Sequence, residues 1–349
     1  MAPPATPPAK HPVARVARPF LYWLFHSCRL FGYAAWGPVL LKFQPKLVLT
    51  ALVAYATVMH QKWWQQLCHQ ALGLGASRRH RIVNEVPEQI DPKRKYLWCL
   101  HPHSVLMDGW HSLIAADPTA FEGPTGPTEI GRPIKLCFAP IIKRVPVHQE
   151  MYRERCGSAD AKSIVECFKT DVDPALAPGG FSESVFANSA EKEVEYAYLK
   201  GRSGFVRLAI QNKVDIVPTY SFRASRMYYN PSVLRGARAR FSQQYFAGLV
   251  MPMGWLGTAM PLTDRTTTVV FPPFPTSQYT EDQVWDAHAA YLVHLKHWFD
   301  HYKERFGMRG VRLEFVGKDF VDEDPLARVL RATGIMKAEK PAPLVQSKL

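Results

Sequence analysis

An α/β fold with a mixed sheet flanked by helices, led by an N-terminal hydrophobic membrane anchor, is the architecture this sequence predicts. Three observations carry the prediction. From about Arg81 onward, short apolar runs that read as strands alternate with longer helical patterns. One of those patterns keeps three- and four-residue apolar spacing from Val284 to Tyr302. Ahead of them lies an apolar N-terminal part without a single acid up to Asn84.

The 349 residues suffice to bury one substantial core, or one core and a small appendage. With 47% apolar and 21% charged residues, the chain as a whole is not disordered. Six cysteines (Cys28, Cys68, Cys99, Cys137, Cys156, Cys167) are scattered without a C-x-x-C pair, which reads as reduced thiols and not as a disulfide framework or zinc site. The net charge of +13 is uneven: Met1 to Asn84 holds ten Lys or Arg and no Asp or Glu, whereas the remainder holds 33 basic and 30 acidic residues. Nucleic acid is one partner for such a basic arm. Because this arm is also the most apolar part of the chain, an anionic membrane surface is the expected partner, and nucleic acid is not.

In chain order, residues 1–18 form a Pro- and Ala-rich basic lead, expected to be disordered. Residues 19–60 form the anchor. Phe20–Leu41 would be about 33 Å long as a helix, enough to span a bilayer, but Leu47–Met59 would reach only about 20 Å. Arg29 and Pro38 interrupt the first stretch, and Lys42, Pro45 and Lys46 divide the two. A re-entrant or interfacial hairpin is the reading; one spanning helix or a buried helix pair are the alternatives. Residues 61–320 form the globular domain, and 321–349 a loose tail. Strands are expected at Tyr96–Leu100, Ile134–Phe138, Ala175–Ala177, Asp215–Tyr220 and Thr266–Phe271. Helices are expected at Ala159–Lys169, Phe205–Asn212 and Glu281–Phe306. The last has Thr280 and Gln283 as a capping box, Gly307 as its stop, and a stripe of Val284, His288, Tyr291, Leu295, Trp298 and Tyr302.

The sharpest chemical feature is His101-Pro102-His103-Ser104-Val105-Leu106-Met107-Asp108, placed between an apolar strand and an apolar helical run. Pro102 keeps His101 extended and Ser104 is a good N-cap, so His103 is expected at a helix mouth, where N–H groups and the dipole face outward. Acyl transfer needs a neutral base beside a hydroxyl and positive dipoles near the oxyanion. Asp108 lies five residues on, about 140° round a regular helix, and orients His103 only if the turn is irregular. A structural histidine is the alternative. Pro178-Gly179-Gly180 allows backbone to approach a ligand closely and sets Glu183 at the start of the next element; an ordinary strand-ending turn with a solvated Glu is the other possibility. Lys200, Arg202 and Arg207 surround a helix start, with Ser203 as its cap, and suit the phosphates of a nucleotide-bearing ligand as well as they suit a solvated basic face. His294 and His297 share a helix face but have no carboxylate or Cys partner, so no metal site is assigned.

These blocks resemble the type-2 diacylglycerol acyltransferase family, which includes monoacylglycerol and wax-alcohol acyltransferases. His101–His103 is similar to its H-P-H-G signature, and Leu176-Ala177-Pro178-Gly179-Gly180-Phe181-Ser182-Glu183 to its P-G-G block with a following Glu. Leu199–Ala209 resembles its R-K-G-F-V-K-L-A run, Ile216–Phe222 its V-P-V-Y-S-F strand, and Leu313-Glu314-Phe315 its closing segment. The likeness covers about residues 90–320. Ser104 stands where the family has Gly, which restricts the backbone if that position needs a positive φ. Arg223-Ala224 stands where it usually has Gly-Glu. The His103-x4-Asp108 spacing is similar to the H-x4-D pair of the wider glycerolipid acyltransferase superfamily, so a glycerolipid-acyltransferase-like fold is implied.

The resemblance implies transfer from acyl-CoA, a co-substrate with no further cofactor, to diacylglycerol, giving triacylglycerol. His103 would be the base, Asp108 or Glu183 would orient or tune it, and His101 would mainly shape the turn. Pro178, Gly179, Gly180, Lys200, Arg202 and Arg207, with His101, make up the expected substrate contacts. Monoacylglycerol, a fatty alcohol or a lysophospholipid are alternative acceptors, and a non-catalytic lipid-binding membrane protein is the reading from another class. The family's place at the endoplasmic reticulum and on lipid droplets is the expected location. The C-terminal Ser347-Lys348-Leu349, a peroxisomal tripeptide in form, is the alternative address.

Overall fold

The computed structural model describes residues 80–105, 107–110, 121–123, 126–127, 132–140, 156–188, 190, 193–245, 250–254, 261–262 and 266–317, together with Thr50 and Gln61. The lead, the anchor apart from Thr50 and the C-terminal tail read from the sequence lie outside the described residues. Among the described residues no helix is long and apolar enough to cross a membrane.

The strands in chain order are β1 (His80–Asn84), β2 (Tyr96–His101), β3 (Phe121–Gly123), β4 (Gly126–Pro127), β5 (Ile134–Phe138), β6 (Cys156–Ser158), β7 (Asp173–Leu176), β8 (Val194–Tyr198), β9 (Asp215–Phe222), β10 (Thr266–Val270) and β11 (Arg312–Val316). The α-helices are α1 (Ala161–Lys169), α2 (Gly180–Phe186), α3 (Gly204–Gln211), α4 (Arg235–Tyr245) and α5 (Val284–Tyr302). Nine strands form one sheet in the order β4-β3-β1-β10-β9-β2-β7-β5-β6, and β11 pairs with β8 in a second. The run β9-β2-β7-β5-β6 is parallel throughout. The sheet is mixed because β10 meets β9 antiparallel while pairing β1 in parallel.

Every residue of β2, β7 and β9 is buried, so these strands show no alternation of apolar and polar faces, and β2 reads as an almost continuous apolar run. All five expected strands form, Ile134–Phe138 with the expected bounds and the other four shifted by a residue or two at their ends. α1 begins at Ala161 behind Asp160, whose carboxylate accepts from Ser163 N–H at 2.9 Å. At α5 a 3₁₀ turn, Glu281–Gln283, precedes the α-helix, and the Thr280 N–H donates to Gln283 Oε1 at 3.1 Å. The buried stripe of α5 takes Phe299 rather than Trp298, which is only half-buried. Phe299 lies edge-on to Tyr220 at 4.8 Å and stacks on Phe222 at 5.7 Å, so α5 covers β9 through an aromatic layer. The described cysteines Cys99, Cys137, Cys156 and Cys167 are buried thiols outside any disulfide.

Candidate active site

Because β2, β7 and β9 run in parallel at the middle of the sheet, their carboxyl ends share one edge. The segments leaving that edge are His101–Ser104 after β2, Pro178-Gly179-Gly180 after β7 and Arg223 after β9. Open α/β sheets gather their ligand-handling residues at such an edge.

The turn after β2 differs from the expected helix mouth. Ser104 and Met107 take φ of 51° and 56°, left-handed values that a continuing right-handed helix cannot absorb. The chain instead closes one turn, Met107 N–H donating to His103 O at 3.1 Å, and enters a 3₁₀ turn at Asp108–Trp110. Ser104 is therefore not an N-cap, and among the described residues the turn after His103 leads into no α-helix. Asp108 opens the 3₁₀ turn; its side chain lies outside the described residues. His101 ends β2 in extended form, as a residue before proline should, and its peptide bond to Pro102 is cis. Its ring is fully buried, with Nε2 at 2.8 Å from the Tyr291 hydroxyl, and burial holds its imidazole down to about 3. That is the setting of a core residue tying β2 to α5.

His103 is half-buried, its ring 5.9 Å from that of Phe181. Its Nδ1 lies 2.9 Å from the Ser104 carbonyl oxygen. A carbonyl can only accept, so Nδ1 carries the proton and Nε2 the free lone pair. Burial pushes the imidazole down to about 4, the Arg202 charge acts in the same direction, and the bond to Ser104 opposes both. The ring is accordingly neutral at ordinary pH.

Glu183, on α2, is buried and so is not the solvated side chain of the alternative reading. One carboxylate oxygen accepts from the backbone N–H of His103 and the other from the N–H of Tyr198, at 2.7 Å in the second case. It meets the histidine through the main chain and clamps the β2 turn to the end of β8. Burial pushes its carboxyl up to about 7, against the pull of those two N–H groups and of Arg202. The preceding glycines make room for it. A Cβ on Gly179 would overlap the Glu183 carboxylate, and Gly180 has a φ of 54° that L-residues rarely adopt.

The basic residues separate into two groups. Arg202 turns inward: Nη1 donates to Pro178 O at 3.2 Å, Nη2 to Ser182 Oγ at 3.0 Å, and the guanidinium lies over the Tyr198 ring at 4.9 Å. Lys200 and Arg207 are exposed. Ser203 precedes α3 but makes no side-chain cap; its carbonyl accepts from Arg207 N–H at 3.0 Å. His294 Nε2 lies 2.9 Å from the Pro272 carbonyl oxygen, and among the described residues no group of three or more His, Cys, Asp or Glu is disposed to hold a metal.

Sequence reasoning missed Glu195. This buried acid on β8 accepts from Ser225 Oγ and shares with Glu183, Pro102 and Phe186 the lining of a narrow recess of about 10 Å³. The β-prone Val194, Tyr196 and Tyr198 were the signal available for β8, hidden by the basic run beyond them. Asn230 was missed too. Fully buried, its Nδ2 donates to the carbonyls of Val185 at 2.9 Å and Ala187 at 3.1 Å, closing the end of α2 that carries Glu183.

A neutral histidine at the carboxyl edge of a mixed sheet, its main chain fixed by a buried acid, can take a proton from a hydroxyl. The class so defined is an α/β protein equipped for base-assisted group transfer. Residues 82–316 match the family model described as diacylglycerol acyltransferase, and the chain belongs to that family. Among similar proteins, the diacylglycerol O-acyltransferase 2 of Danio rerio is 28% identical over 243 residues, covering 62% of this chain and 63% of the relative. The diacylglycerol O-acyltransferase 2A of Umbelopsis ramanniana is 24% identical over 313 residues, covering 82% and 85%. The acyl-CoA wax alcohol acyltransferase 2 of Homo sapiens is 24% identical over 240 residues, covering 63% and 69%. The match thus spans a little under two thirds of the length of the Danio relative. Among solved structures, the 1-acyl-sn-glycerophosphate (LPA) acyltransferase PlsC from Thermotoga maritima aligns over 84% of this chain and 99% of that one, at 13% identity and a TM-score of 0.40, too distant to bear on the site.

Proposed function

We propose that this chain transfers a fatty acyl group from acyl-CoA to the free hydroxyl of diacylglycerol, forming triacylglycerol. The observation that carries the reading is the neutral His103 with Nδ1 committed to Ser104 O, which leaves Nε2 as a base at the carboxyl edge of β2. In this mechanism Nε2 takes the acceptor's hydroxyl proton as that oxygen attacks the thioester carbonyl. The C–S bond then breaks, and coenzyme A leaves as the thiol with the proton returned by the imidazolium. General-base help of this kind contributes about 10²–10⁴-fold, so positioning of the two substrates supplies the rest. Glu183 acts here as a positioning residue, through the His103 N–H. With Arg202 engaged by the Pro178 turn, the exposed Lys200 and Arg207 are the cations proposed to meet the phosphates of coenzyme A. Asp108 keeps its proposed role of tuning the base.

Family membership and the diacylglycerol acyltransferase names among the relatives favour this acceptor. The wax-alcohol name of the human relative, at an identity close to the others, keeps a fatty alcohol as the second reading. Membranes holding the full-length chain, incubated with labelled acyl-CoA and separately with diacylglycerol, monoacylglycerol, a fatty alcohol or a lysophospholipid, test it. Labelled triacylglycerol as the dominant product is expected; wax ester or phospholipid in its place would reassign the acceptor, and no product would leave a lipid-binding protein. The working location proposed is the endoplasmic reticulum membrane, with the lipid droplet beside it.

A further inference from the structure

From Ile216 to Thr263 the sequence contains no Asp, Glu, Lys or His, and its only charged residues are Arg223, Arg226, Arg235, Arg238 and Arg240. The same segment holds five of the large apolar side chains left in water: Tyr229 (42% exposed), Val233 (44%), Phe241 (41%), Met251 (51%) and Leu262 (43%). Local pairing gathers four of them. The backbones of Tyr229 and Met253 exchange two hydrogen bonds at 2.8 and 2.7 Å, Met251 N–H donates to Asn230 Oδ1 at 3.1 Å, and Leu262 N–H donates to Met227 O at 2.8 Å. Arg238 Nε donates to the Val233 carbonyl at 3.0 Å, so α4 holds that residue in the same group. Phe241 follows on α4 beside the exposed Arg240. The underside is packed: Met227 and Tyr228 lie in one cluster with Val105 and Ala187, and Ala239 lies with Val185 and Phe186. Val105 is two residues from His103, so this surface adjoins the candidate site.

We infer that the face formed by the Tyr229–Val233 turn, α4, Met251 and Leu262 rests on an anionic phospholipid surface. The occupant follows from the composition. Half-exposed aromatic and aliphatic side chains gain by leaving water for the headgroup boundary, and the exposed charge beside them, Arg240, is drawn to acidic headgroups, Arg235 and Arg238 being buried behind it. Such a contact is independent of the N-terminal anchor. It sets the mouth of the site against the bilayer from which a lipid acceptor would enter.

The test uses the full-length chain with photoreactive benzoylphenylalanine in place of Phe241, of Met251 or, for comparison, of Val293, which is 70% exposed on α5. Each protein is irradiated in vesicles of labelled phosphatidylcholine with phosphatidylserine or without it. Several-fold more lipid adduct from Phe241→benzoylphenylalanine and Met251→benzoylphenylalanine than from the Val293 variant, falling when phosphatidylserine is withdrawn, is the expected result. Equal adducts at all three positions, adducts indifferent to phosphatidylserine, or a cross-link to a second copy of the chain would each overturn the inference. The readout is on the intact protein whether or not it turns over, so failure here is distinguishable from failure of the acyl-transfer reading.

Discussion

Ser104 and Arg223 both hold left-handed backbone, at φ of 51° and 69°, and both stand where the resembled family carries glycine. An L-residue there costs about 1–2 kcal/mol, against about 0.5–1 kcal/mol of extra chain entropy that a glycine loses on folding. Ser104→Gly and Arg223→Gly should therefore each stabilise the protein by about 0.5–1 kcal/mol, read as a higher unfolding temperature in detergent; a lower temperature would show the side chains hold compensating contacts. Glu183 makes the fold sensitive to pH. Its carboxyl is raised from the ordinary 4.5 to about 7, so the stability that the protonated acid contributes is full below about pH 4.5 and is lost as pH rises through 7. The same ionisation strengthens its hold on the His103 N–H. In Glu183→Gln the unfolding temperature should vary less with pH between about 5 and 8, and the step in transfer rate near pH 7 should vanish. The acid limb from His103, near 4, should stay. A wild-type step near 7 in that variant would remove Glu183 from the account.

At the scale of elements, α5 is held on the sheet by the aromatic layer it lays over β9. Phe299, fully buried between Tyr220 and Phe222, loses that packing in Phe299→Ala, at a cost of about 3–5 kcal/mol. Chemical denaturation should show it as a lower midpoint at unchanged slope. Elements of this kind were legible because their patterns are long or largely apolar: α5 through its period and capping box, β2 through its apolar run, and β9 through Ile216, Val217, Tyr220 and Phe222. Less could be read from β8 and β11, which pair only with each other, or from α4, whose three arginines and single Phe241 give no apolar stripe. The site was legible in part. His103, Glu183 and the paired glycines are adjacent to recognisable punctuation, whereas the helix expected after Ser104 failed because left-handed backbone at Ser104 and Met107 is not written in any local propensity. The inward turn of Arg202, and the partnership of Glu195 with Ser225 across 30 residues, depend on tertiary packing that spacing alone cannot convey.

Across the whole molecule, positive charge is concentrated in two acid-free regions, Met1–Asn84 and Ile216–Thr263, while the rest of the chain is nearly balanced. The first is also the most apolar part of the sequence, and the second carries five exposed large apolar side chains, so membrane attachment by burial and by charge is expected from two places. High-salt washing, which screens charge within a few ångströms, should therefore leave the full-length chain on membranes; release by salt alone would show that burial plays no part. In the proposed reaction that attachment would bring a neutral-lipid hydroxyl to the sheet edge where His103 is neutral and its tautomer fixed. Everything proposed about the chemistry rests on that histidine. Membranes carrying His103→Ala, matched to wild type for protein amount and supplied with labelled acyl-CoA and diacylglycerol, measure it most directly. Transfer should fall by at least about 10²-fold, the share a general base supplies; transfer at the wild-type rate would contradict the account.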